Sequence, residues 1–151
     1  MKSVDGNDPT DDGQRIILFI VVVNDILRRV VRKLIAKSAH LSVCGEANSV
    51  EQAVEKIGNC LVKPEIVLVD LFSPEKDAAI MFHLKERYAG IRVLAISAYE
   101  GAEVALRAFA AGANGYLLKE ELTNLDEVVA EVIKGRGFIS QKVKDQLSKH
   151  E

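Results

Sequence analysis

The chain has 151 residues, a formal net charge of −2, 48% hydrophobic residues and 28% charged residues. This length suits one domain with its own core, and the composition is that of an ordinary soluble globular protein. The nearly balanced charge excludes a basic field for nucleic acid or anionic lipid, and the longest apolar run, Ile16 to Val23, is far too short to cross a bilayer.

The N-terminal stretch predicts a flexible tail over residues 1–14. It is rich in Asp, Gly, Asn and Pro, and it lacks the basic and apolar regions of a signal peptide. The two cysteines, Cys44 and Cys60, have no CxxC spacing and are expected to be reduced and buried. These features together predict a cytoplasmic protein without membrane contact.

After the tail, short apolar runs alternate with segments of helical period. The predicted strands are 16–23, 41–47, 65–70, 91–97 and 115–118. The predicted helices are one from Asp25, one capped by Ser49, 77–88, 100–111, and one capped by Thr123 that ends near Gly135. Strict alternation predicts a parallel sheet with helices on both faces and right-handed crossovers. We assign 15–135 to this domain and 136–151 to a linker or a C-terminal helical extension.

The first helix has an apolar face and a basic face. Ile26, Val30 and Leu34 form the predicted inward stripe, and Leu27, Val31 and Ile35 widen it. The opposite face carries four basic residues: Arg28, Arg29, Arg32 and Lys33. This basic face is interpreted as solvated, with a docking surface for an acidic partner as the alternative.

Polar residues follow three of the predicted strands. They are Asp70, Ser97 and Lys119, and the carboxyl ends of parallel strands meet at one edge, where such sheets bind ligands. A carboxylate, a hydroxyl and an ammonium together suit a transferred phosphoryl group. Each residue alone has a plainer reading as a turn former, a loop residue or a solvated side chain.

Four stretches extend this pattern. They are 64–71, which contains Asp70, 93–98, which contains Ser97, 111–119, which contains Tyr116 and Lys119, and 135–140. Together they resemble the receiver domain of bacterial two-component response regulators of the NarL/FixJ type. The resemblance covers roughly residues 15–135.

The resemblance implies an α/β fold of the flavodoxin-like or CheY-like class, a doubly wound (βα)5 domain with a five-stranded parallel sheet in the order 2-1-3-4-5. It implies that Asp70 accepts a phosphoryl group from a sensor histidine kinase, a phosphotransfer protein or a small phosphodonor. Ser97 and Tyr116 would then be the switch residues and Lys119 the phosphate-binding lysine. The implied role is regulatory rather than enzymatic, with DNA contacted only through a separate C-terminal helix-turn-helix domain. Apart from the resemblance, exposed apolar positions on helices one or five make homodimerisation an expectation.

One feature departs from the family. The family places two acidic residues after the first strand to hold Mg²⁺ with the phosphoacceptor, but an ungapped register puts Val22 and Val23 there. A shifted register would bring Asp25 to the metal; otherwise Asp25 caps the first helix. We expect Mg²⁺ binding to be weak or absent, and Lys119 to pair directly with Asp70.

Two further functions remain open. The first is a pseudo-receiver that is never phosphorylated and serves as a dimerisation or protein-interaction module. The second is a hydrolase of the haloacid-dehalogenase kind, which is disfavoured because Ser73 and Pro74, rather than a second Asp, follow Asp70.

Overall fold

The computed structural model describes residues 14–71 and 74–149, so the predicted tail lies outside the described residues except for residue 14. The strands are β1 (Ile16–Val21), β2 (Leu41–Ala47), β3 (Ile66–Asp70), β4 (Arg92–Ser97), β5 (Gly115–Leu118) and β6 (Phe138–Ile139). The helices are α1 (Asp25–Lys37), α2 (Val50–Gly58), α3 (Pro74–Arg87), α4 (Ala102–Ala110), α5 (Leu125–Ile133) and α6 (Gln141–Lys149). No helix in these ranges is long and apolar enough to span a bilayer.

The strands form one parallel sheet in the order β2-β1-β3-β4-β5-β6. The α/β class and the order of the first five strands are confirmed. The sixth strand was not predicted, because two residues are too short to show a period. Gly135 and Gly137 have φ values of +83° and +74°, and this turn brings Phe138–Ile139 beside β5.

The core lies on both faces of the sheet. All five residues of β3 are buried, which explains its continuous apolar run and makes Asp70, its last residue, an exception. One face of the sheet packs against α1 and α5, through residues such as Val31, Ile35 and Val128. The other face packs against α2, α3 and α4, through residues such as Ala53, Met81, Leu84 and Ala105.

The predicted inward stripe of α1 is partly wrong. Ile26 and Val30 are 72% and 44% exposed, whereas Val31 and Ile35 are buried. Because apolar residues occur on both sides of this helix, hydrophobic pattern alone did not determine its rotation about its axis. The cap was also misplaced: Asn24 Oδ1 accepts a hydrogen bond from the Leu27 amide, so Asp25 is the first helical residue rather than the N-cap.

The start of α5 also differs from the prediction. Thr123 is not its cap, because a 3-10 helix at Lys119–Asn124 follows β5 directly and α5 begins at Leu125. Leu122 is buried from within the 3-10 helix, which gives this turn an apolar anchor. The N-cap of α2 was placed correctly, since Ser49 Oγ accepts a hydrogen bond from the Gln52 amide.

The segment after α5 folds back on the domain. Val143 of α6 is fully buried, and the buried Ser140 Oγ accepts a hydrogen bond of 2.9 Å from the Leu118 amide. Lys142 forms ion pairs with Glu120 and Glu100, at 2.8 and 3.7 Å. Contacts from this segment therefore reach both the end of β5 and the loop after β4.

Candidate functional site

The site is built around Asp70 at the carboxyl end of β3. This strand lies between β1 and β4. The strand order reverses between β1 and β3, and that reversal opens a crevice at the sheet edge. The Asp70 side chain is only 4% exposed. Lys119 follows β5 directly, and its Nζ lies 2.9 Å from Asp70 Oδ1. The ion pair expected between these two residues is therefore present.

The Asp70 carboxylate has an unused capacity to accept hydrogen bonds. Oδ1 is buried, yet no described residue donates a hydrogen bond to it, so Lys119 compensates its charge only as an ion pair. An uncompensated buried carboxylate is costly, and this one depends on a single ammonium that is one-third exposed. The charge on this oxygen therefore depends strongly on Lys119.

Ser97 and Tyr116 converge on the backbone of Tyr99. Ser97 Oγ accepts a hydrogen bond of 3.0 Å from the Tyr99 amide, and the Tyr116 hydroxyl donates one of 2.7 Å to the Tyr99 carbonyl. Both side chains are fully buried. Burial raises the pKa of Tyr116, and its hydrogen bond with Ser97 acts in the opposite direction. Tyr99, which sequence reasoning missed, therefore connects the two predicted switch residues through the loop before α4.

The end of β1 offers no carboxylate. Val22 is fully buried in the core and Val23 is 48% exposed, so the two predicted acidic-pair positions supply only backbone oxygens. Asp25, the other predicted metal residue, contacts the Arg28 guanidinium and has a 75% exposed side chain.

Arg28 occupies this end of the sheet. Its Nη1 donates hydrogen bonds to the Val22 carbonyl at 2.8 Å and to Asn48 Oδ1 at 3.1 Å, and its Nε lies 3.3 Å from Glu46 Oε1. Its side chain is 16% exposed, so its assignment to a solvated face was wrong. The sequence showed only a basic residue one turn into the first helix. It could not show the partners of Arg28, because these come from β2 and the following loop, which are distant in sequence.

The donor set does not fit Mg²⁺. This ion requires a near-octahedral shell of oxygens that is usually anchored by one or two carboxylates. The Val22 carbonyl already accepts from Arg28, and Asp25 faces a guanidinium. Across residues 14–71 and 74–149, no three His, Cys, Asp or Glu side chains cluster as metal ligands. The carboxyl edge of the sheet instead provides one carboxylate paired with one ammonium and, at the end of β4, one buried hydroxyl.

Comparison with known proteins matches most of the chain to a family. A family model described as the response regulator receiver domain matches residues 18–132. The chain is 29% identical over 134 residues to the transcriptional regulatory protein DegU of Brevibacillus brevis, a match that covers 86% of this chain and 56% of DegU. It is 31% identical over 104 residues to the nitrate/nitrite response regulator protein NarL of Escherichia coli, covering 67% of this chain and 47% of NarL. The chain thus spans about half the length of these two relatives.

A solved structure shares the fold. The two-component response regulator of the LuxR family from Aurantimonas sp. SI85-9A1 superposes with a TM-score of 0.80 at 24% identity, and the match covers 90% of this chain and 97% of that one.

Proposed function

Because this chain belongs to the response regulator receiver domain family, we propose that it is a phosphorylation-controlled signalling module in which Asp70 is the phosphoacceptor. One observation carries the proposal: Asp70 is a buried carboxylate at the carboxyl edge of the sheet, has an acceptor oxygen without a described hydrogen-bond donor, and lies 2.9 Å from Lys119. A nucleophilic carboxylate beside a cation suits acceptance of a phosphoryl group.

The proposed reaction forms an aspartyl phosphate. An Asp70 carboxylate oxygen attacks the phosphorus of a phosphohistidine, the phosphorus–nitrogen bond breaks, and the imidazole leaves with its electron pair and takes up a proton. Lys119 offsets the negative charge on the phosphoryl oxygens, and the Ser97 hydroxyl, which accepts from the Tyr99 amide, turns its proton from Tyr116 to one of them. No step depends on Mg²⁺.

The signal would travel through Tyr99. Movement of Ser97 toward a phosphoryl oxygen weakens its bond to the Tyr99 amide, while Tyr116 holds the Tyr99 carbonyl. The loop before α4 would then shift, and the surface formed by α4, β5 and α5 would change with it. We propose a histidine kinase or phosphotransfer protein as the phosphodonor, a homodimer as the assembly, and DNA contact only through a separate C-terminal domain.

The residues at the end of β1 favour a second candidate function. Val22, Val23 and Arg28 replace the acidic environment of a metal site, and Lys119 already neutralises Asp70. A domain of this kind would act without phosphorylation, as a dimerisation or protein-interaction module whose switch is permanently set.

One experiment separates the two. The chain is incubated with acetyl phosphate, in MgCl₂ or in EDTA, and its intact mass is followed with time, with Asp70→Asn as the control. We expect slow addition of one phosphoryl group to the wild type, with little dependence on Mg²⁺, and none to Asp70→Asn. Absence of labelling in both buffers would favour the second candidate, and rapid stoichiometric labelling in MgCl₂ alone would refute the weak metal site.

A further inference from the structure

Two thiols lie side by side, away from the phosphoacceptor residues. The Sγ atoms of Cys44, in β2, and Cys60, just after α2, are 3.9 Å apart, although the residues are sixteen positions apart in the chain. Both residues are free and half-buried, rather than fully buried as the sequence suggested. Both pack against the core formed with α2 and α3.

A β-bulge helps to place Cys44. Leu18 of β1 pairs with Val43 but Phe19 pairs with Gly45, so Cys44 is the extra residue in β2. A Cβ atom at Gly45 would lie 2.8 Å from the Phe19 ring, and only glycine lets the bulged strand continue at this distance from Phe19. The bulge thus interrupts the regular alternation of side chains in β2 where Cys44 meets the end of α2.

A separate set of contacts holds Cys60. Its amide bonds the Ile57 carbonyl at 3.1 Å, and Lys63 Nζ donates to the carbonyls of Ile57, Gly58 and Cys60 at 2.9 to 3.1 Å. These bonds cap the end of α2 and fix the loop that follows it. The proximity of the two sulfurs therefore rests on two independent features of the backbone.

We propose that Cys44 and Cys60 are a redox modification site that forms a reversible intramolecular disulfide when the protein meets a peroxide. The sulfurs must approach from 3.9 Å to about 2.05 Å. Because the backbone around Cys60 is held by these hydrogen bonds, rotation of the two cysteine side chains supplies this movement.

The order of the two steps follows from the environments of the two thiols. Burial, together with the neighbouring Cys60, raises the pKa of the Cys44 thiol to about 12. Cys60 reacts first because it lies in the loop after α2, whereas Cys44 lies within β2. The Cys60 thiolate attacks one peroxide oxygen, the oxygen–oxygen bond breaks, and a sulfenic acid and hydroxide form. The Cys44 sulfur then attacks the Cys60 sulfur and loses its proton, and the sulfenic oxygen leaves as water. Two thiols and one peroxide thus give one disulfide and two waters, and a dithiol reductant reverses the change.

The bond would close a loop that contains the turn after β2. That turn carries Asn48, a partner of Arg28, and Ser49, the cap of α2. Oxidation would therefore tie β2 to the end of α2 and restrict the unfolded chain.

The test treats the full chain with graded hydrogen peroxide and measures intact mass, free thiols and the peptide map. We expect the loss of two hydrogen atoms, a peptide that links Cys44 to Cys60, full reversal by dithiothreitol, and a Tm higher by about 5–10 °C in the oxidised form. The matched controls Cys44→Ser and Cys60→Ser should each lose the intramolecular link and the rise in Tm.

Measurements on the wild type decide the question even if a serine variant folds poorly. Two thiols that still react with maleimide after peroxide, a sulfinic acid on Cys60 without a link to Cys44, or disulfides that join only separate chains would each overturn the proposal. None of these outcomes bears on labelling of Asp70, so the phosphoacceptor proposal stands or falls separately.

Discussion

At the ends of β3, β4 and β5 the sheet presents Asp70, Ser97 and Lys119, whereas the end of β1 presents Val22, Val23 and an arginine bound to backbone. In the first region a buried carboxylate depends on an ammonium. In the second, Arg28 satisfies the Val22 carbonyl and draws in Asn48 and Glu46. At one edge of the sheet, the ends of β3, β4 and β5 thus carry a carboxylate, a hydroxyl and an ammonium, whereas the neighbouring end of β1 is stabilised by hydrogen bonds from an arginine.

The largest effect is expected from an acidic residue at Val22. Val22→Asp places a carboxylate in a fully buried position near Asp70, and the free energy of unfolding should fall by about 3–5 kcal/mol in urea titrations without metal. In the double variant Val22→Asp/Val23→Asp, MgCl₂ should restore part of this loss, because two added carboxylates supply missing ligands. If MgCl₂ has no effect on that variant, the end of β1 lacks further features of a magnesium site besides the two carboxylates.

The next largest effect concerns Lys119. Lys119→Met leaves the buried Asp70 without its cation and should cost about 1–3 kcal/mol at pH 7, discounted because the ammonium is one-third exposed. Asp70→Asn in the same background should recover most of that loss, since a neutral amide needs no counter-charge. Additive effects of the two substitutions in chemical denaturation would contradict an energetic coupling between these residues.

Substitution of Arg28 tests how the end of β1 is stabilised. Arg28→Met removes the hydrogen bonds to the Val22 carbonyl and Asn48 and should cost about 1–2 kcal/mol in the same denaturation experiment. Arg29→Met is the matched control on the exposed side of the helix and should change stability by less than about 0.5 kcal/mol. Equal effects of the two substitutions would mean that Arg28 is merely a solvated charge.

The smallest effect is a dependence on alkaline pH. Burial raises the pKa of the Tyr116 phenol in the folded state. The stability that the neutral phenol contributes is therefore complete below the pKa that Tyr116 has in the unfolded chain, and it is lost as pH rises through the pKa in the folded chain. Tyr116→Phe should cost about 1 kcal/mol at neutral pH through the lost bond to Tyr99, and should flatten the fall of Tm above about pH 10. An unchanged alkaline profile would assign that fall to other groups.

The fold class and the polar residues at the ends of β3, β4 and β5 were predictable because their signals are local. A parallel strand buried on both faces reads as a continuous apolar run, so β3 and the position of Asp70 at its end were evident from the chain. Ser97 and Lys119 follow the same rule, since each lies at or directly after the end of a strand. That these three lie at one edge follows from the parallel arrangement alone.

The remaining features depended on contacts between distant residues. The hydrophobic pattern of α1 permits more than one rotation, and packing on the sheet chose the one that exposes Ile26 and buries Val31. Arg28 found its partners only when β2 and the following loop came beside it. A two-residue strand such as β6 forms only where β5 supplies an edge.

The alternation of strands and helices, the polar residues at three strand ends, and Val22 and Val23 are properties of neighbouring residues, so the amino-acid sequence alone was enough to identify them. In contrast, the link from Ser97 through Tyr99 to Tyr116 and the meeting of Cys44 with Cys60 across a bulge could be seen only in the folded chain. These contacts join residues from separate strands and loops, so their distances are set by the register and packing of the whole sheet.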